Sequence, residues 1–502
     1  MQGAHKEAGR VIAMKQMDES ILPDFYGQKL DSKNQVKFFI LVSSLGEWLE
    51  KVGFRIHKEQ LVKVEDNIVS SVEEKEMYQL ALAYVKTFND DVLTSDFMIK
   101  GASLLLNQKG TILGLSKLSD NFLRSTKDLA YFFYSNGVVC VSKDAFNIIP
   151  YAETKGLIWK EKIINREFNT SSDSEFTKCI YGRFLKNITD NKEHYRSLTT
   201  AMGYLMHRYK SPTNVKAVIL NDKSIAIDGS PEGGTGKGLN IKAIGKLVNV
   251  TTLNGKNLNL KTDKFALQNV TLQTDLIYID DADKHLDFEQ FFSSLSENTE
   301  IERKHKDKLQ LPFKDSPKIA MTTNYALKGV SSSHLRRKQD VFINGYYSHL
   351  HSPYDDFGCE FFHEWDSLEW QHFDNLMLSF VQDYLNSGLV EYSTRELKEK
   401  MLRNQTNEEF WEAMETRFNA VNVKHSKGEL KSYMSELNPS LSGISQKKIN
   451  TYIDMYADFK GLISEHITGA GNFRHFRFKE KADGEVDTEL DFIQDGEEMI
   501  DF

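Results

Sequence analysis

A parallel α/β core, preceded by an α+β region and followed by a winged helix, is the fold class the sequence predicts. Three observations predict it. Short apolar runs at residues 224–227, 276–279 and 318–321 are separated by helical patterns, as in the strand–helix–strand units of a parallel sheet. Each run leads into a polar cluster: a glycine-rich turn, then Asp280-Asp281, then Thr322-Thr323-Asn324. Beyond residue 404 the pattern becomes three helices and two short strands.

At 502 residues the chain is too long for one core and implies about two to four domains. Hydrophobic residues at 40%, charged residues at 27% and only 8 prolines exclude a disordered or fibrous chain. No stretch has the ~18 apolar residues of a membrane span, so no membrane partner is expected. The opening Met1-Gln2-Gly3-Ala4-His5 carries no apolar segment ending in small residues, so a cytoplasmic location is expected. Cys140, Cys179 and Cys359 stand singly, without zinc or disulfide spacing, and are expected as small buried residues. Taken alone, the net charge of -9 opposes a nucleic-acid partner. Residues 482–502, however, hold nine acids and no base, and removing these nine from 72 acids leaves 63 against 63 bases. The body is therefore neutral overall, with room for local basic surfaces.

Residues 1–170 mix strand-like runs, such as 37–42, with a helical pattern at 73–88. They carry no catalytic motif and read as an accessory α+β domain. Residues 171–215 space Phe176, Ile180, Phe184 and Leu185, then Leu198, Met202, Leu205 and Met206, as amphipathic helices do. An oligomerising collar and a packed linker bundle both fit.

The core is placed at residues 216–350. In Gly229-Ser230-Pro231-Glu232-Gly233-Gly234-Thr235-Gly236-Lys237-Gly238, glycines sit between a strand and a helix, where backbone N–H groups can wrap a phosphate and the helix N-terminus favours its charge. Lys237 is placed to reach the β- and γ-phosphates of ATP. The loop departs from the usual pattern at Pro231, which takes the first glycine position, and at Gly238, which replaces the hydroxyl residue that helps hold Mg2+. Asp280 and Asp281 follow 43 residues after Lys237; an acid that binds Mg2+ and an acid that polarises water suit that strand end. Asn324 lies 44 residues beyond Asp280, where an amide can orient attacking water. Arg336 and Arg337 come 12 and 13 residues later. A guanidinium supplied across a subunit boundary can stabilise the transferring phosphoryl group.

In this order the motifs resemble the superfamily 3 DNA helicases, in particular the poxvirus-type primase-helicases of phages and mobile elements. The match spans roughly residues 224–345. Its most specific parts are Ile301-Glu302-Arg303-Lys304-His305-Lys306-Asp307-Lys308 and Pro317-Lys318-Ile319-Ala320-Met321-Thr322-Thr323-Asn324-Tyr325. The resemblance implies an AAA+-like P-loop ATPase with ATP and Mg2+ as cofactors, working as a hexameric ring. It also implies a β-hairpin in the central channel whose Lys304 and His305 touch single-stranded DNA; Lys306 and Lys308 add charge to the same turn. Basic residues there grip phosphates without reading sequence. Family members often carry a primase domain, but residues before the core show no matching carboxylates or zinc cysteines, so no primase activity is expected.

Residues 351–415 read as helical and 416–481 as the winged helix, with helices at 407–418, 427–437 and 445–459 and strands at 461–467 and 473–478. Ser445 caps a helix bearing Lys447, Lys448 and Asn450, and Arg474, His475, Arg477 and Lys479 interleave with Phe473, Phe476 and Phe478. A DNA-binding face and a protein-docking face both suit this module. Residues 482–502, acidic and aperiodic, read as a disordered tail; such tails recruit replication proteins or only add solubility.

Three functions fit. The leading one is a ring-forming helicase translocating on single-stranded and forked DNA during replication of a phage or mobile element, in a bacterial cytoplasm. The second is an origin-binding initiator that melts DNA locally. The third is a nucleotide-gated assembly protein with little or no ATP turnover, favoured by Pro231 and Gly238.

Overall fold

The structure is a computed structural model that describes residues 25–30, 36–107, 114–172, 178–223, 234–283, 285–304, 307–325, 327, 332–468 and 474–480. Its centre is a five-stranded sheet of β1 (Ala217–Asp222), β2 (Val250–Asn254), β3 (Leu276–Asp280), β4 (Lys318–Thr322) and β5 (Lys338–Ile343). The spatial order is β2-β3-β4-β1-β5, and every neighbouring pair is parallel. Alternation along each strand divides the apolar residues between two cores. Val218, Leu220, Leu276, Tyr278 and Ala320 face one; Ala217, Ile219, Ile277, Ile279 and Met321 face the other. Because both faces are covered, the inner strands read as continuous apolar runs.

The first face is covered by α1 (Ile180–Asn187), α2 (Lys192–Met206), α3 (Lys237–Ile244) and α4 (Ser367–Ser387). Helix α2 is buried from Ser197 through Met206, so it has no free stripe along most of its length. Gly203 is where α4 crosses: a Cβ there would sit 2.1 Å from the Phe380 carbonyl oxygen. The second face is covered by Phe288, Phe291 and Leu295, by a short β-hairpin of Thr299–Ile301 and Leu309–Leu311, and by Val62, Val69 and Trp159 of the N-terminal region.

The N-terminal region has two four-stranded sheets, one built on Phe54–His57, Gln60–Glu65 and Ile68–Ser71, the other on Ala130–Tyr134, Gly137–Val141 and Phe146–Ile149. Its helices Val42–Lys51, Glu74–Lys86 and Asp91–Ala102 pack around Trp48, Met77 and Phe97. The apolar run at 37–42 does not stay extended: the strand ends at Ile40 and a helix begins at Val42, because Leu45, Trp48 and Leu49 fall at helical spacing and are buried. Cys179 is buried, but Cys140 and Cys359 are only partly so; Cys140 is the outward residue of an otherwise buried strand.

After α4 comes a unit with its own core. It runs through helices Arg395–Gln405, Glu408–Ala413, Lys427–Leu437 and Gln446–Phe459 and closes with a three-stranded antiparallel sheet of His425–Ser426, Arg474–Glu480 and Leu462–Thr468. The core draws on Leu402, Phe410 and Trp411 as well as Phe476 and Phe478, so the packed unit starts before residue 416. The tail at 482–502 lies outside the described residues. Among them, no helix is long and apolar enough to cross a membrane.

Candidate functional site

All five strands point the same way, so their carboxyl ends share one edge, and β1 sits where the order reverses: the chain leaves it toward β2 on one side and returns to β5 on the other. Clefts for ligands form at such a reversal. Here the cleft is about 1010 Å3 in volume and takes its walls from the turn at Gly234, from α3, from the ends of β3 and β4, and from residues 352–354 and 359–363.

Strand β1, Ala217–Asp222, precedes the turn. The run at 224–227, expected to be that strand, lies outside the described residues, as do Gly229 and Gly233. The last part of the turn is described. Gly234 and Gly236 have φ of 97° and 98°, a left-handed backbone that side chains disfavour. A Cβ at Gly236 would also meet the Phe184 ring at 2.7 Å. Helix α3 then begins at Lys237 with Gly236 as its cap.

Lys237 Nζ is the hub. It is bonded to the Asp222 carboxylate and donates to Asn324 Oδ1 at 2.5 Å, while Thr235 Oγ1 donates to the other Asp222 oxygen at 2.6 Å. Burial lowers the Lys237 ammonium below its usual range, and the Asp222 and Asp281 charges oppose that shift. Elements 87 residues apart in sequence, Lys237 and Asn324, are thus in direct contact.

Asp280 ends β3. Its Oδ1 accepts from the Tyr278 hydroxyl at 2.6 Å and from Thr322 Oγ1 at 3.2 Å. Tyr278 is raised well above its usual range, first by burial and then by its bond to Asp280. Asp281 takes a left-handed backbone, φ 53°, and forms an exposed ion pair with Lys256 at 3.2 Å. Gly238 leaves open the place of the usual hydroxyl: a Cβ there has only the Tyr278 hydroxyl nearby, at 3.8 Å. The oxygen groups in this cleft are those a hard, oxygen-preferring cation such as Mg2+ takes, with one or two carboxylates and the rest from phosphate and water. Among the described residues no group of three or more His, Cys, Asp or Glu makes a self-sufficient metal cage.

Arg336 and Arg337 immediately precede β5. The register pairs Ala217 with Lys338, which puts both arginines at the amino edge of the sheet, away from their own chain's cleft. Arg337 donates to Ser296 Oγ and to the Ser333 carbonyl and hydroxyl, and lies 4.6 Å from the Phe292 ring centroid. Arg336 is exposed. In the hairpin, Lys304 is exposed and Lys308 pairs with Glu300 at 2.5 Å; His305 and Lys306 lie outside the described residues. In the C-terminal unit, Ser445 Oγ caps its helix by accepting from Lys448 N at 3.3 Å. Lys447, Lys448 and Arg474 are exposed there, and Arg477 lies 4.0 Å from Glu465. The structure therefore gathers Gly234, Thr235, Gly236, Lys237, Gly238, Asp280, Asp281 and Asn324 into one cleft and leaves the arginine pair at the opposite edge.

Three participants escaped the sequence reading: Asp222, Tyr278 and Thr322. Asp222 carried the same signal that identified Asp280, an acid closing an apolar run. Tyr278 and Thr322 carried a weaker one: Tyr278 lies two residues before Asp280 and so on the same face.

A family described as "Family of unknown function (DUF5906)" matches residues 229–337. No curated protein matches the sequence. Among solved structures, "The A form apo structure of NrS-1 C terminal region-CTR" is similar with a TM-score of 0.40 at 13% identity, covering 86% of this chain and 99% of that one. A second structure, "The A form apo structure of NrS-1 C terminal region-CTR(305-718)", gives a TM-score of 0.27 at 11% identity, covering 70% of this chain and 96% of that one.

Proposed function

We propose that this chain is an ATP-hydrolysing DNA helicase that assembles as a ring, most simply a hexamer, and moves along single-stranded or forked DNA in the replication of a phage or mobile element. The observation that carries the reading is the meeting of Lys237, Thr235, Asp280, Asp281 and Asn324 in one cleft at the carboxyl edge of a parallel sheet, with Asp222 bonded to Lys237 and Thr235.

Each group then has a task. The turn at Gly234–Gly236 presents backbone N–H groups to the phosphates, and Lys237 exchanges its bond with Asp222 for the β- and γ-phosphate oxygens. Asp280 would hold Mg2+, with the Tyr278 and Thr322 hydroxyls fixing the carboxylate, and the bound ion would supply Lewis-acid charge to the phosphates. Asp281 polarises the attacking water and Asn324 orients it. Arg336 of one chain reaches the cleft of the next. Lys304 and the hairpin turn grip the DNA backbone, and the C-terminal unit, read as a winged helix, offers Lys447, Lys448, Arg474 and Arg477 to a duplex or fork. The acidic residues 482–502 would recruit a replication protein.

A nucleotide-gated assembly protein is the second reading, favoured by Gly238 and by the ion pair that occupies Lys237. Steady-state phosphate release, with and without single-stranded DNA, separates the two. The helicase predicts DNA-stimulated turnover that falls at least ~100-fold in Lys237→Ala. Equal background release from both proteins, with ATP-dependent assembly retained in the parent, would leave the gate and remove the motor.

A further inference from the structure

At the amino edge of the sheet lies a second cavity of about 270 Å3, between the N-terminal region and the starts of β3 and β4, and its charges do not balance. Seven lysines and arginines line it against two aspartates. Both acids are already shared. Asp275 pairs with Lys162 at 2.6 Å and Arg208 at 3.1 Å, and Asp315 with Lys58 at 3.1 Å and Arg124 at 2.7 Å.

Of the three cations that remain, Lys314 pairs at the exposed mouth with Asp120 at 3.2 Å, while Lys210 and Lys318 are 5% and 3% exposed. Among the described residues neither has a carboxylate partner. Lys210 Nζ donates to the Ser294 carbonyl at 2.9 Å and lies 4.8 Å from the Phe313 ring centroid; Lys318 Nζ donates to the Tyr204 and His207 carbonyls at 2.5 Å each. The carbonyls that hold Lys318 belong to the end of α2, whose dipole supplies part of a counter-charge. Lys210 has no such support. An ammonium has three N–H donors, so these bonds leave two on Lys210 and one on Lys318. Burying ammonium groups without a counter-charge is costly, and burial alone pulls Lys210 down to about 8.

The same cavity is also lined by aromatic rings. The Phe122 and Trp159 rings are stacked at 4.7 Å and 11°, with the His57 ring 5.0 Å from the first and 5.7 Å from the second, and all three line the cavity. Cations and aromatic rings lining one cavity suit a phosphate carrying a planar base. The size limits it further, since the volume sits near the ~300 Å3 at which ligand pockets begin. That admits one nucleotide and not a run of them.

We infer that this cavity binds a single nucleoside monophosphate unit, either free or as the terminal nucleotide of a strand, at a site on the opposite sheet edge from Lys237. The probe is thymidine 5′-monophosphate, which lacks the β- and γ-phosphates that the Lys237 turn suits. Calorimetric titration of the full chain should give one site per chain, kept in Lys237→Ala and weakened at least ~10-fold in Lys210→Met. Lys314→Ser, at the exposed mouth of the cavity, guards against misfolding of the buried variant and should weaken binding ~2–3-fold. Competition by a 5′-phosphorylated oligonucleotide, and not by its 5′-hydroxyl form, makes the ligand a strand end; competition by neither makes it a free nucleotide. Loss of binding in Lys237→Ala, unchanged affinity in both lysine variants, absence of binding, or equal affinity for inorganic phosphate would each overturn the assignment.

Discussion

Lys237, partly buried at the carboxyl edge of the sheet, and Lys318, buried at the amino edge, are lysines whose ammonium groups burial pulls down. Only the first faces an acid. Asp222 holds Lys237 beside a cleft of about 1010 Å3, so an incoming polyphosphate can replace the carboxylate with no loss of counter-charge. Lys318 is held by two carbonyls at the end of α2, partners that cannot leave without unwinding the helix. A lysine with an exchangeable partner suits a switch; one held by backbone suits a fixed joint. The same residue type, on the same sheet, thus separates a lysine that a ligand can release from one fixed in place, which leaves Lys210 as the adaptable cation of the amino-edge cavity.

The sharpest way to break that contrast is Arg336, because it asks whether the amino edge also serves catalysis across a subunit boundary. Arg336→Ala should lower ATP turnover about 10³-fold with unchanged thermal stability, since the side chain is exposed. Arg337→Ala should instead cost about 1–2 kcal/mol in denaturant melts, having lost Ser296, Ser333 and the Phe292 ring. Mixing Arg336→Ala with Lys237→Ala chains should recover part of the turnover, because each supplies what its neighbour lacks. No recovery in rings shown to contain both chains would place the guanidinium's work within one chain.

His207 tests whether the amino edge is fixed. Burial, with the Lys318 charge adding to it, lowers its imidazole from 6.5 to about 3, while Nε2 bonds to the Thr126 carbonyl at 2.8 Å. A folded-state value below the unfolded one means that the unfolded chain takes up a proton first. The contribution is therefore complete above pH 6.5 and is lost as pH falls toward 3. Near pH 5 the loss should be about 2 kcal/mol. Urea melts at pH 7 and pH 5 measure it, and His207→Gln should flatten the difference. An equal pH dependence in both proteins would remove His207 as the cause.

These tests also mark what was legible in the sequence. Strands β3 and β4, the helix at 427–437 and the one capped by Ser445 followed from local pattern, because apolar alternation and capping act within a few residues. Strand β1 did not. Residues 217–220 and 225–227 are both apolar runs, and the pairing of β1 with β4 and β5 is a long-range fact that periodicity does not encode. Asp222 went unnoticed for that reason. The basic cavity was invisible for a related one: its charges come from residues between Lys58 and Lys318, and no window of sequence holds enough of them. Arg336 and Arg337 were equivalent on paper, and only the contacts of Arg337 with Ser296 and Phe292 separate them.

The smallest effect returns to the carboxyl edge and to Gly238, where a hydroxyl residue is usual. A Cβ there would lie 3.8 Å from the Tyr278 hydroxyl, which already bonds Asp280 at 2.6 Å. If the sheet has taken over the missing group's place through Tyr278, then Gly238→Ser is redundant. Its Mg2+ half-saturation for turnover should move by less than ~3-fold, while helix propensity adds about 0.5 kcal/mol of stability. Tyr278→Phe should weaken the Mg2+ response about 10-fold, as loss of a group orienting a ligand does, and Gly238→Ser should restore most of it in that background. A large gain in Mg2+ affinity from Gly238→Ser alone would mean that the hydroxyl is absent from the site and has no substitute in Tyr278.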